Sequence, residues 1–282
     1  MTLTVTLLGT GNPIPDPNRA GPATLVRAPG ATLLVDCGRG VVMRLAAAGV
    51  MPPQLDAVLV THLHSDHLTD LNDVITSHWV LSMAPATLRL VGPIGLRSVV
   101  DAILVSLAPD VAYRLAHHED LTWSPQVEVT EVEAGDVVEI GTARVVVGRT
   151  DHFPVEPAIG FRVEVDGVAV ALAGDTIPCD GLDELCRDAD AYVQTVIRDD
   201  LLRNIPLQRI QDILDYHSSV PQAAQTAARN GVGTLILTHY VPAPAPGTLG
   251  EWVDLAAEHF GGTIVVGDDL TSVEVAPRPE GD

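Results

Sequence analysis

At 282 residues the chain is long enough to bury a substantial core; aromatic residues make up only 4% of it, so that core must be built from valine, leucine, isoleucine and alanine. Acidic residues outnumber basic ones 37 to 16, every basic residue is an arginine, and the formal charge of −21 gives no general attraction to nucleic acid or to an anionic membrane. No apolar run approaches the roughly 18 residues of a membrane span, and three cysteines (Cys37, Cys179, Cys186) without a CxxC pair argue against a disulfide framework.

The opening MTLTVTLLGTG carries no basic leader and reads at once as a strand and a turn, so a cytoplasmic location is expected. Strands are predicted over Thr2–Leu8, Thr24–Arg27 and Thr32–Asp36, separated by Gly/Pro turns. A helix follows at Val41–Ala48, and a continuous apolar strand at Leu55–Thr61 runs into a histidine-rich segment. Asp70–Leu81 reads as helix, Leu88–Val91 as strand and Gly95–Ala108 as helix, ending before Pro109. The middle of the chain is β-rich: Val127–Val132, Asp136–Ile140, Ala143–Val147, Ala158–Val165 and Val168–Ala173, with Asp166-Gly167 as a hairpin turn. The last third alternates: strand Ala189–Val196, helices near Gln208–Tyr216 and over Pro221–Asn230, strand Thr234–Leu237, helix Leu249–His259 and strand Thr263–Val266. Two β-rich halves, each with its own helices, predict an α/β fold of two mixed sheets packed face to face with helices outside. We read residues 1–276 as a single domain and 277–282 as a short polar tail. Alternate prolines in Val241-Pro-Ala-Pro-Ala-Pro-Gly247 predict an extended loop.

The chemistry concentrates in Thr61-His62-Leu-His64-Ser-Asp66-His67. His62 and His64 are two apart in an extended segment and so point the same way. Four potential ligands within six residues crowd a single tetrahedral ion but suit two neighbouring ones. Three further residues stand at the ends of apolar strands: His152 in Thr-Asp-His-Phe-Pro, Asp175 in Ala-Gly-Asp-Thr and His239 in Leu-Thr-His-Tyr. Imidazole and carboxylate donors favour zinc, with manganese or iron also suited, and the motif holds no thiolate to select a softer metal. The remaining histidines, His78, His117, His118 and His259, read as surface or structural. Arg19, Arg39, Arg198 and Arg203 are candidate phosphate contacts, although a solvated or structural role is the commoner fate of such residues.

THLHSDH followed by a distant His, Gly-Asp-Thr and Thr-His resembles the metallo-β-lactamase superfamily. Leu8-Gly-Thr-Gly11, Val35-Asp-Cys-Gly38, Pro157-Ala-Ile-Gly160-Phe, Leu172-Ala-Gly-Asp175-Thr-Ile-Pro178, Ala189-Asp190, His217-Ser-Ser and Leu237-Thr-His239 are similar to its ribonuclease Z and arylsulfatase-type branch. The resemblance implies an αββα sandwich and two metal ions per chain. His62, His64 and His152 would hold one ion and Asp66, His67 and His239 the other, with Asp175 bridging. It also implies a hydrolase whose bridging hydroxide attacks a phosphodiester, RNA among the substrates, with Asp66 orienting the nucleophile and His217 as acid or transition-state stabiliser. A homodimer is implied as well. The chain departs from ribonuclease Z in two ways: Gln194 and Thr195 stand where that family has a His-Glu pair supporting the catalytic histidine, and residues 153–174 are too few for its tRNA-clamping arm. These departures keep a second hydrolase reading open, for a cyclic nucleotide, a sulfate ester or a lactone. His64 argues against the di-iron oxidoreductases, which carry Glu at that position, and the complete ligand set argues against an inactive metal-binding scaffold.

Overall fold

The computed structural model describes residues 2–277. The first half of the chain runs β1 (Leu3–Gly9), β2 (Ala23–Ala28), β3 (Ala31–Val35), α1 (Val41–Ala47), β4 (Ala57–Leu59), α2 (Leu71–Leu81), β5 (Thr87–Gly92), α3 (Leu96–His117) and β6 (Gln126–Glu131). The second continues with β7 (Val137–Ile140), β8 (Ala143–Arg149), β9 (Ile159–Val165), β10 (Val168–Leu172), α4 (Asp180–Cys186), β11 (Ala191–Ile197), α5 (Asp199–Leu202), α6 (Gln208–Asp212), α7 (Val220–Arg229), β12 (Thr234–Val241), α8 (Leu249–Ala257), β13 (Thr263–Val266) and β14 (Ser272–Val275).

The strands form two seven-stranded sheets, ordered β14-β1-β2-β3-β4-β5-β6 and β13-β12-β11-β10-β9-β8-β7. Each is antiparallel through one end, β14 to β3 and β7 to β10, and parallel through the other. Period-two alternation decides what each face buries. Leu33 and Val35 of β3 enter a core shared with Val170 and Leu172 of β10, while Leu34 joins Val58, Leu45 and Ile75 beneath α1 and α2. On the other side, Ala171, Tyr192 and Leu235 pack against Leu185 of α4, Ala224 of α7 and Trp252 of α8. Sheets buried on both faces explain why the strands read as unbroken apolar runs, and each buried valine or leucine contributes about 1.5–3 kcal/mol. The layers are helix, sheet, sheet, helix: the expected sandwich.

Four local differences from the sequence reading have physical causes. α3 runs through Pro109 to His117 rather than ending at Ala108. The carbonyl that Pro109 leaves without a donor belongs to Val105, which is 74% exposed, so water can serve it. β4 is shorter than the apolar run Leu55–Thr61, because Thr61 N–H leaves the ladder for the Asp36 carboxylate. The segment Gln208–Tyr216 is α6 followed by a separate 3-10 turn, Ile213–Asp215. β14, absent from the sequence reading, pairs antiparallel with β1, Leu3 opposite Val275. The Asp166-Gly167 turn appears as expected, with both residues at positive φ (50° and 79°), as a type I′ hairpin demands. Of the tail read over 277–282, only Pro277 is among the described residues.

Candidate metal centre

The seven residues singled out in the sequence converge where the two sheets meet. His62 leaves the end of β4; the chain stays extended through His64, then tightens into a 3-10 turn, Ser65–His67, that buries Asp66 and His67. Asp175 follows β10 through Gly174, which has φ 64° and lies so close to Thr61 that a Cβ there would sit 2.7 Å from the threonine Cβ. Only glycine meets both demands, and it brings the two strand ends together. His239 lies within β12, where the register with β11 shifts between Thr195 and Ile197, and its own φ is 52°. Bulges of this kind re-aim a side chain, and the strained backbone is a feature of functional sites.

These donors fall into two groups: His62, His64, His152 and Asp175, and Asp66, His67 and His239. In the first, His64 Nδ1 lies 3.2 Å from both His62 Nε2 and His152 Nε2. In the second, His239 Nε2 is 3.2 Å from Asp66 Oδ2 and His67 Nε2 is 3.7 Å from it. Asp175 Oδ2 stands between them, 3.8 Å from His62 Nε2 and His152 Nε2, 3.4 Å from His67 Nε2 and 3.6 Å from His239 Nε2.

The outer nitrogens fix the tautomers. His67 Nδ1–H donates to Asp36 Oδ2 at 2.8 Å, and His152 Nδ1–H donates to the Tyr216 carbonyl at 2.9 Å. Thr61 Oγ1–H is committed to Asp36, so His62 Nδ1–H donates to Thr61 Oγ1 at 3.0 Å. In each case the proton sits on the outer nitrogen and a bare lone pair faces the centre. Facing the centre, His67 Nε2 and Asp175 Oδ1 are buried without any hydrogen-bond partner. Inward lone pairs around an ionised carboxylate, with orphaned acceptors among them, are what a divalent cation satisfies, and the residues present fit two.

Electrostatics keep the carboxylates ionised and the first group's buried histidines neutral, while, against burial, Asp175 and its neighbours raise His67 and His239. Burial pushes the Asp175 carboxyl up, but the surrounding imidazoles, His239 and His67 first, hold it well below the usual carboxylate range. Asp66 shows the same contest, burial against the hydrogen bond and charge of His239, and also ends low. His62 is lowered well below the ordinary histidine value by burial, and His152 falls to about 4 by burial, so both favour the neutral ligand form.

His217 is 7% exposed and joins the centre from its rim, Nε2 3.2 Å from Asp175 Oδ2 and Nδ1 3.2 Å from the Ile213 carbonyl. Both ring nitrogens face oxygen acceptors. The two serines next in the chain anchor it: Ser218 Oγ donates to the Thr176 carbonyl, and Ser219 caps α7 with Gln222 in a capping box. Thr195 does not stand in for the missing glutamate. Its hydroxyl donates to the Gly174 carbonyl, and Gln194 is turned to Tyr192 and the Thr195 carbonyl. The orienting acceptor is instead the backbone of the 3-10 turn, which a motif in side chains cannot reveal. Asp36 is the other residue that the sequence left outside the site; it lay in plain view in Val35-Asp-Cys-Gly38, at φ 61° just beyond β3.

Among the arginines, Arg19 is tied to Asp268, Arg198 to Asp200 and Glu251, and Arg203 to Asp199. Arg39 alone of the four has no ion pair among the described residues. His78, His117, His118 and His259 lie outside both donor groups. Residues 153–174 hold only a loop, β9 and β10, with no protruding arm.

Sheet order and donor geometry together define a metal-site sandwich of the β-lactamase superfamily, and the family model described as a beta-lactamase superfamily domain matches residues 31–240. Within it the chain belongs to the ribonuclease Z family. It is 56% identical over 278 residues to the ribonuclease Z of Mycobacterium bovis (strain BCG / Pasteur 1173P2), covering 98% of this chain and 99% of that one. It is 57% identical over 275 residues to the ribonuclease Z of Mycolicibacterium gilvum (strain PYR-GCK), covering 97% and 96%. Among solved structures, the metallo-beta-lactamase fold protein YhfI from Bacillus subtilis aligns with a TM-score of 0.75 at 20% identity, over 97% of this chain and 99% of that one. Human tRNase Z, short form, aligns with a TM-score of 0.70 at 23% identity and the same coverage, and shares the fold.

Asp36 accepts from His67 Nδ1, Thr61 N and Thr61 Oγ1, and through Thr61 it also fixes His62, so one carboxylate orients a ligand in each donor group. Asp36→Ala strands three buried donors, and we expect a loss on the order of 3 kcal/mol in urea unfolding. Asp36→Asn keeps the shape but loses the charge, and its metal affinity in a chelator competition should fall roughly 10–100-fold. Wild-type affinity in the Asn variant would remove Asp36 from this role.

Proposed function

We propose that the chain is a metal-dependent endoribonuclease of the ribonuclease Z type, cutting an RNA phosphodiester, with precursor tRNA as its substrate class. The observation that carries the reading is Asp175 Oδ2 set between two groups of histidines, a ligand shared by two cation sites. One cation would be held by His62, His64 and His152, the other by Asp66, His67 and His239, with Asp175 between them. We assign zinc, since imidazole and carboxylate donors suit it, with manganese or iron as substitutes. Two divalent cations held there supply Lewis acidity, acidifying water and neutralising charge on phosphoryl oxygens.

The chain's own groups do the rest. Asp66, kept ionised, can accept a hydrogen bond from the attacking water and orient it. His217, its Nδ1 proton committed to Ile213, presents Nε2 to the centre and would pass its proton there to the leaving oxygen. Burial of Asp175 and His239 to 2% and 1% exposure keeps bulk water away from the charges, which strengthens every electrostatic interaction inside. No helix among the described residues is long and apolar enough to cross a membrane; we assign the protein to the cytoplasm and, on the general frequency of two-fold assemblies, to a homodimer.

The test is a pair of assays on protein saturated with zinc or manganese. Bis(p-nitrophenyl) phosphate should be hydrolysed, and a precursor tRNA cut, at a fixed salt concentration because RNA binding is salt-dependent. Hydrolysis of the small ester with an intact precursor tRNA would move the activity to a small phosphodiester.

A further inference from the structure

Beside the metal centre, on the side of His152, the surface opens into a cavity of about 400 Å³, within the size range of small-molecule sites. Its walls come from the loop before β7 and the loop joining β8 to β9. Ile94, Val132, Val155 and Pro157 give it an apolar lining. Its polar groups are mostly carboxylates: Glu133, Asp151 and Glu156, against the single guanidinium of Arg149. Asp151 already accepts from Phe153 N, and Arg149 lies 3.6 Å from Glu156, but Glu133 has no side-chain partner among the described residues. Thr150, also in the wall, is 4% exposed, and its hydroxyl has no hydrogen-bond partner.

A pocket with this charge repels phosphate, yet it adjoins a centre read as cutting a phosphodiester. The part of an RNA chain that suits it is a base. Unstacked bases are recognised on apolar or guanidinium planes and through hydrogen bonds to their edges. Carboxylates accept from the amino group of cytosine; uracil would turn its O4 carbonyl toward the same oxygens. We propose that this pocket is a nucleobase subsite for a residue flanking the scissile phosphate, and that its carboxylates make it prefer cytosine to uracil. The proposal rests on the reading of the chain as an RNA phosphodiesterase; Arg149 supplies a stacking plane.

The probe is a matched pair of ligands, cytidine 5′-monophosphate and uridine 5′-monophosphate, titrated calorimetrically into metal-replete protein. Both carry the same phosphate, so its binding cancels in the ratio. Cytidine monophosphate should bind roughly tenfold tighter. A Glu133→Lys/Glu156→Lys double variant replaces surface acceptors with donors; its preference should disappear or invert, with thermal melting and metal content confirming that the variant is folded. Ala134→Trp, filling the pocket from an exposed position, should weaken cytidine monophosphate more than uridine monophosphate and so collapse the ratio. Equal affinity of the two nucleotides for the wild type, or an unchanged ratio in the double variant, overturns the subsite. Cytidine preference in a protein that fails to cut RNA would instead overturn the proposed activity and leave the subsite standing.

Discussion

Asp175→Ala should lose metal from both donor groups and with it all measurable hydrolysis of phosphodiesters. One carboxylate oxygen serves histidines on either side, 3.4 Å from His67 and 3.8 Å from His62, so no single-site defect is expected. Elemental analysis should give two ions per wild-type chain and well under one in the variant, and added metal should restore neither. Asp175→Asn separates shape from charge: it keeps an oxygen in place but removes the negative charge that makes two cations tolerable side by side, and occupancy should fall nearly as far. A variant retaining two ions would take Asp175 off the ligand set. The wild type also carries a pH signature. Burial lowers the His67 pKa, but Asp175 and Asp36 outweigh it and leave the group well above its ordinary value; His239 is raised in the same contest, by Asp175 and Asp66. A proton held on either must depart before a cation is bound, so apparent metal affinity should rise as the pH climbs above the ordinary histidine range. In Asp175→Ala the main cause of the raised values is gone, and the residual affinity should depend less steeply on pH.

His217→Ala should leave both ions in place and slow turnover by on the order of 10²–10⁴, the range for a positioned acid. The size of the loss should depend on the leaving group. p-Nitrophenolate departs without a proton, so bis(p-nitrophenyl) phosphate should lose little; an RNA alkoxide is strongly basic and should suffer the full effect. Behind Nδ1 the acceptor is the Ile213 carbonyl at 3.2 Å rather than a carboxylate, a weaker hold on the ring's orientation, and we place the effect toward the lower end. Equal losses on the two substrates, measured on one metal-replete preparation, would leave His217 as a positioning residue; no loss on either would make it structural.

How much of this was legible in the sequence depends on what carried the information. The donor residues were legible because ligands at strand ends leave a pattern in side chains: an apolar run, then His or Asp. The two-sheet core was legible because strands such as Val168–Leu172, buried on both faces, cannot hide polar residues. What escaped was held by the backbone or by partners remote in sequence. β14 is a four-residue strand whose reason to exist is β1, at the other end of the chain. α4 contains Gly181, a poor helix former, and is fixed by burying Leu182, Leu185 and Cys186. The Ile213 carbonyl has no side-chain signature at all. Asp36 was visible as part of a motif, but its role depends on where Thr61 and His67 lie in space.

The order in which the donors occur along the chain has a consequence for biosynthesis. Asp66 and His239 meet across 173 positions, and the histidine motif precedes every other ligand. Contacts of such separation form late, after long loops have closed. A nascent chain that has emerged only as far as the start of α2 carries His62, His64, Asp66 and His67 but none of the second sheet's donors, and His239 arrives when most of the polypeptide has been made. Both donor groups are therefore complete only once β12 has docked beside β11.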